Sequence, residues 1–133
     1  MSQENVEVVR QATDAYNRGA FTEAIAWMDP EIEWDMSRVE VPDPDTYRGL
    51  ERLQAFHESW RESWGSLELE IEELIDAGDE VISVVRQHGR GRLSGAEVEQ
   101  GFAQVWALRD GKIIRMTMYP DRESALEAAG LRE

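Results

Sequence analysis

The sequence predicts an α+β domain in which a curved, mostly antiparallel sheet wraps around three N-terminal helices and a short C-terminal helix follows. Three observations carry this. The first half holds apolar residues at helical spacing in three successive segments. From Leu67 onward the period changes to two, the signature of strands. Asp110-Gly111, set between two β-favouring arms, is a two-residue turn that tolerates positive φ at both centres and announces a hairpin. At 133 residues and 41% hydrophobic, the chain is long enough for residues 1–133 to bury one core without disulfide or metal staples.

In chain order, Ser2 to Arg18 places Val6, Val9, Thr13 and Tyr16 on one stripe, with Ser2 as N-cap and Gly19 as stop. A second helix, Phe21 to Met28, turns Phe21, Ala24, Ile25 and Met28 inward. Asp29-Pro30 ends it, because proline lacks a donor and restricts the residue before it. Ile32 and Trp34 then alternate with Glu31, Glu33 and Asp35 in a short strand. The proline-rich stretch from Met36 to Tyr47 reads as a mobile loop able to lie over an opening. Helix three starts at Gly49 or Leu50 and aligns Leu53, Phe56, His57, Trp60 and Trp64, with Gly65 closing it.

Leu67, Leu69 and Ile71 alternate with Glu68, Glu70 and Glu72, a strand with one charged face. After a turn at 77–80, Val81 to His88 returns as a mostly buried strand. Ile82, Val84, Arg86 and His88 share one side of it, and Val81, Ser83, Val85 and Gln87 the other. The glycine-rich run 89–95 lies between strands, so it is a hairpin end and has no helix terminus to help cradle phosphate. In the last hairpin Phe102, Gln104, Trp106 and Leu108 face one way and Ala103, Val105 and Ala107 the other. On the return arm Ile114, Met116 and Met118 alternate with Ile113, Arg115, Thr117 and Tyr119. A sheet apolar on both sides needs two covers: helices on one, a second layer or a second subunit on the other. Asp121 to Ala129 forms the terminal helix, stopped by Gly130.

The net charge of −14, with basic residues scattered, excludes a nucleic-acid or anionic-lipid binder. There is no cysteine, hence neither a disulfide framework nor a thiolate nucleophile. Two histidines without ligand spacing give no reason to expect a metal or other cofactor. The N-terminus lacks a signal-peptide core and no apolar run reaches spanning length, so a soluble, cytoplasmic protein is expected.

Tyr16-Asn17-Arg18-Gly19, Asp29-Pro30-Glu31-Ile32-Glu33-Trp34, Tyr47-Arg48-Gly49, Arg109-Asp110-Gly111-Lys112-Ile113 and Tyr119-Pro120-Asp121 together give the chain a family resemblance. It resembles the SnoaL-like branch of the nuclear transport factor two superfamily, the cone-shaped, cystatin-like fold of ketosteroid isomerase, scytalone dehydratase, limonene-epoxide hydrolase and polyketide cyclases. The resemblance implies a conical pocket for a small hydrophobic molecule between sheet and helices, and a homodimer through the sheet's outer face. It does not carry over the isomerase machinery. The position of that enzyme's tyrosine falls near Ala12, its second oxyanion donor at Ala103 or Gln104, and its base only near Asp35, out of register. An enolate would have little to stabilise it.

The candidates are therefore weighed residue by residue. Asp35 after Trp34 is a proton-transfer base if the pocket raises its pKa, and otherwise a solvent carboxylate. Asp121 lies where SnoaL-like cyclases keep an acid/base aspartate, but directly before Arg-Glu-Ser-Ala-Leu it is also a helix N-cap. Arg86 and His88 share the strand face that the resemblance turns to the pocket, where Arg86 needs a carboxylate or an anionic ligand. Asp35, Arg86, His88 and Asp121 form the expected catalytic set. Trp34, Tyr47, His57, Trp60, Gln104, Trp106, Met116 and Met118 form the expected ligand wall, or else an ordinary core. The readings are an acid/base isomerase, cyclase, dehydratase or hydrolase, a non-catalytic binder, and a dimeric scaffold with a vestigial pocket.

Overall fold

A computed structural model describes residues 3–40 and 44–131. The elements run α1 (Gln3–Asn17), α2 (Phe21–Ala24), a 3-10 turn (Ile25–Trp27), β1 (Met28–Asp35), β2 (Thr46–Arg48), α3 (Leu50–Glu62), β3 (Trp64–Asp76), β4 (Glu80–Gly91), β5 (Glu97–Arg109), β6 (Lys112–Tyr119) and α4 (Arg122–Ala128). This is the expected α+β arrangement. Six strands make one sheet in the order β2-β1-β6-β5-β4-β3. Every neighbouring pair is antiparallel except β1 and β6, which run parallel.

Local chemistry sets the ends. Gly19, at φ 75°, lets the chain double back so that Ala20 N donates to Ala15 O at 2.9 Å, closing α1. Asp110 (φ 53°) and Gly111 (φ 76°) both take the left-handed conformation that the β5–β6 turn requires. Asp121 caps α4 by accepting from Ser124 N at 2.8 Å.

Several boundaries differ from the sequence expectation; β4, for one, continues past His88 to Gly91. The second helix stops at Ala24, and β1 already begins at Met28 and runs through Pro30. The β1–β6 register shifts between Met28 and Glu33, which accommodates a residue without an N–H inside the sheet. Trp64 opens β3 rather than ending helix three, and its indole lies where a Cβ on Gly89 would come within 2.6 Å. β2, only three residues long, lies inside the stretch expected to be loop and pairs Tyr47 with Trp34. The tip of that loop, residues 41–43, falls outside the described residues. A bulge in the β5–β6 pairing puts Ile113, not Ile114, in the core with Met116.

The two faces of β4 and β5 are covered differently. Val81, Val85, Phe102, Trp106 and Leu108 belong to the main core with Val9 of α1 and Leu53 of α3. Ile82, Ala103 and Val105 face the other way and pack under Ala125 and Leu126 of α4. The second layer that the apolar outer positions demanded is thus partly the chain's own C-terminal helix.

Candidate functional site

Four elements converge behind the inner sheet face. β1 supplies Trp34, β5 supplies Phe102, Gln104 and Trp106, β6 supplies Met118, and α3 lays Phe56, His57 and Trp60 across them. Helical spacing aims the three α3 residues the same way, and alternation along the strands aims the rest. The space they enclose with Tyr16, Gln87 and neighbouring apolar groups is about 50 Å3. That holds a few waters but falls short of the several hundred Å3 that a drug-sized ligand fills. The chamber is nearly filled, because aromatic rings occupy it. Trp34 and Trp106 meet edge to face at 5.5 Å, and His57 is hemmed in by the rings of Phe21 (4.2 Å), Trp34, Phe56 and Tyr16.

The polar groups of the chamber are wired together. Trp106 Nε1 can only donate, and it donates to Ser83 Oγ at 2.8 Å; the Ser83 hydroxyl donates in turn to Gln104 Oε1 at 2.7 Å. Ser83 and Gln104 are wholly buried, at 0% and 1% exposure. With its oxygen taken, the Gln104 amide presents its NH2 as donor to the chamber. His57 Nδ1–H donates to Leu53 O at 3.2 Å, which fixes the tautomer and leaves Nε2 as an acceptor.

Burial pushes the His57 imidazole down to about 4, with the nearby Arg61 charge also lowering it against the Leu53 hydrogen bond. Burial pushes the Tyr16 phenol up to about 12, and the Arg61 charge and the Trp60 and Arg61 donors pull it back only in part. Both groups are uncharged at neutral pH. Among the described residues, the chamber wall carries no Asp, Glu, Lys or Arg.

A second concavity, about 390 Å3, opens beside the first. Tyr16, Phe21 and His57 belong to both walls and form the septum between them; Thr22, Gln54, Glu58, Arg61 and Glu62 complete the outer one.

The four residues expected to do chemistry do not meet the chamber. Arg86 and His88 lie on the opposite sheet face, where Arg86 Nε is 3.3 Å from Glu72 and His88 bridges Glu70 at 2.9 Å and Glu99 at 3.2 Å. Both faces of β4 are apolar at 81–85, so hydrophobic alternation alone could not choose between them; the pairing of Ser83 with Gln104 and Trp106 selects the other register. Hydrogen bonding to Glu70 raises the pKa of His88, partial desolvation opposes that, and Glu99 adds to the rise. Asp35 is also outward. Partial burial would raise its pKa, but the Ser37 hydroxyl and amide, Thr46 and Arg38 outweigh this and hold the carboxyl below its usual range. Asp121 is the helix cap, lowered by its hydrogen bonds to the Ser124 amide and hydroxyl against slight desolvation.

Of the expected ligand wall, Trp34, His57, Trp60, Gln104, Trp106 and Met118 line the chamber. Tyr47 and Met116 are buried behind it, Tyr47 against Phe56 at 4.3 Å. Ser83, Gln87, Tyr16 and Arg61 were missed. A serine and a glutamine on β4 read as filler until their register is known, although Tyr16 already stood on the inward stripe of α1. Among the described residues no group of three or more His, Cys, Asp or Glu is arranged to hold a metal ion.

A sequence profile described as the SnoaL-like domain matches residues 9–116. The chain belongs to the SnoaL-like domain family. Solved structures agree with the fold. TerC co-crystallised with polyporic acid superposes with a TM-score of 0.79 at 22% identity, over 96% of this chain and 99% of that one. A protein of unknown function with a cystatin-like fold from Xanthomonas campestris gives 0.78 at 16% identity, over 96% and 98%. A candidate SnoaL-like polyketide cyclase from Jannaschia sp. CCS1 gives 0.76 at 22% identity, over 98% and 94%. No curated protein matches the sequence. No described helix of this SnoaL-like chain is long and apolar enough to cross a membrane.

Proposed function

We propose that this SnoaL-like chain holds the flat, uncharged, hydrophobic body of a small oxygen-bearing molecule in its inner chamber, and that binding rather than proton transfer is the chamber's work. One observation carries this reading: its two titratable residues, His57 and Tyr16, are displaced to about 4 and about 12, in opposite directions away from neutral pH. A base that weak and an acid that weak are poorly matched to general acid/base catalysis near pH 7. They are well matched to hydrogen bonding. Gln104 NH2 donates to a carbonyl, His57 Nε2 accepts from a hydroxyl, and the rings of Trp34, Trp60 and Trp106 supply stacking area. Entry of such a body requires the septum rings to be displaced, and Phe21 sits on a four-residue helix just after Gly19. The ligand co-crystallised with TerC supports the general capacity of the fold to take up a small molecule.

The test compares 2-acetylnaphthalene with 2-ethylnaphthalene by tryptophan fluorescence. The ketone is expected to bind several-fold tighter, corresponding to about 1 kcal/mol for one hydrogen bond, and Gln104→Leu to remove the difference. Equal affinity for the two, or binding of neither, contradicts the reading. A second reading, proton abstraction by His57, is favoured by its fixed tautomer and open Nε2. It requires turnover that His57→Gln abolishes, with a rate falling as pH drops towards about 4.

The homodimer is part of this proposal. The outer sheet face beside α4 carries the Glu70–His88–Glu99 and Glu72–Arg86 pairs, so pairing through it would be salt-sensitive. Sedimentation at low and high salt reads this directly, and a monomer at both rejects it.

A further inference from the structure

The outer concavity has a charge that the chamber lacks. Arg18, Arg48, Arg52, Arg86, Arg90 and Arg122 each sit against a carboxylate. Arg61 does not. Among the described residues it has no ion pair, and its guanidinium is held by two backbone carbonyls, Tyr16 O at 3.1 Å and Leu67 O at 3.5 Å, with its carbon 5.1 Å from the centre of the Tyr16 ring. Carbonyls orient a cation without neutralising it. Arg61 is half-buried, and in a chain of net charge −14 a half-buried cation left without a counter-charge is a cost that a ligand can repay. Its position is specific: it stacks on Tyr16, one of the three residues shared by the cleft and the chamber.

We propose that the ligand is an amphipathic anion: its apolar body passes Tyr16, Phe21 and His57 into the chamber, while its carboxylate or similar anionic head stays in the outer cleft on Arg61. This rests on the reading of the chamber given above and adds the substrate class to it. The sizes agree, because the chamber alone, at about 50 Å3, is too small for such a molecule and the adjoining cleft offers about 390 Å3. Arg61 presents a planar fork suited to a carboxylate, and two of its donors are already oriented by the chain. Glu58 and Glu62 also line the cleft, but both are exposed, where solvent and salt screen them more than they screen Arg61.

The experiment compares 2-naphthoate, 2-naphthamide and 2-naphthylmethylamine, three probes with one body and three head charges, by quenching of tryptophan fluorescence at pH 7.5. The wild-type protein is expected to bind 2-naphthoate about ten-fold or more tighter than 2-naphthamide, the scale of one charge-assisted hydrogen bond. Added NaCl should erode that advantage, and Arg61→Gln should bring naphthoate down to the level of the amide. Because Arg61 also braces Tyr16 and Leu67, the wild-type comparison and its salt dependence decide the matter if the variant fails to fold. Naphthamide binding as well as naphthoate overturns the anionic head and leaves the chamber standing. Tighter binding of the amine, or naphthoate affinity that rises with salt, shows that Glu58 and Glu62 govern the cleft and also overturns it. If none of the three binds, the chamber reading fails and this inference with it.

Discussion

β4 and β5 present two surfaces built from alternate residues of the same strands, and the two are chemically opposite. Inward, Ser83, Gln104 and Trp106 form a closed chain of neutral hydrogen bonds amid aromatic rings, every member under 5% exposed. Outward, Arg86, His88 and Glu99 form charged pairs whose side chains are 38–59% exposed. The inner set cannot lose a partner without burying an unsatisfied group, whereas the outer set can exchange each partner for water. Richness in ionisable residues therefore does not mark the face of the sheet that lines the chamber.

Substitutions should separate the two surfaces sharply. Trp106→Ala empties the largest side chain of the inner network and is expected to cost about 3–5 kcal/mol in urea unfolding. A cost under 1 kcal/mol would mean that the inner face is loosely packed. Next in size is an acid effect. His57 is depressed from 6.5 to about 4 in the folded chain, so as pH falls through that interval the unfolded state binds a proton the native state does not. About 3 kcal/mol of stability should be lost between those pH values, and His57→Phe should flatten that part of the profile. His88 acts with the opposite sign. Its raised pKa contributes stability that is present below 6.5 and is lost as pH rises through its folded value. Being exposed, it should give only a shallow slope.

Ser83→Ala leaves Trp106 Nε1 and Gln104 Oε1 without their shared partner and should cost about 1–3 kcal/mol. Smallest of all, Arg86→Gln should change stability by less than about 1 kcal/mol and leave probe binding intact. Loss of probe binding in that variant would return Arg86 to the site.

The fold was legible in the sequence because its signals are local: Gly19 after a helical stripe, Asp110-Gly111 between two arms, and the change of period at Leu67. Much of the chamber wall was legible too, since Trp34, His57, Trp60 and Trp106 are apolar-face residues of recognisable elements. The face expected for Arg86 and His88 differs from the one observed for a physical reason. Residues 81–85 are apolar on both sides, and the face of such a strand is decided by what packs on it from elsewhere: α1 and α3 inside, α4 outside. Arg86 and His88 went with the wrong face as a consequence. Arg61 gave no signal, because on α3 it reads as one more solvated charge, and only its half-buried place on the Tyr16 and Leu67 carbonyls, visible in three dimensions, distinguishes it.

The most direct measurement is a backbone and side-chain chemical-shift map recorded while 2-naphthamide is titrated into the labelled protein. Perturbations should centre on the Gln104 side-chain amide, the Trp106 indole N–H and the His57 ring. Shifts confined to Arg86, His88 and Glu99, with the Gln104 amide unmoved, would place the ligand on the outer face and contradict the account.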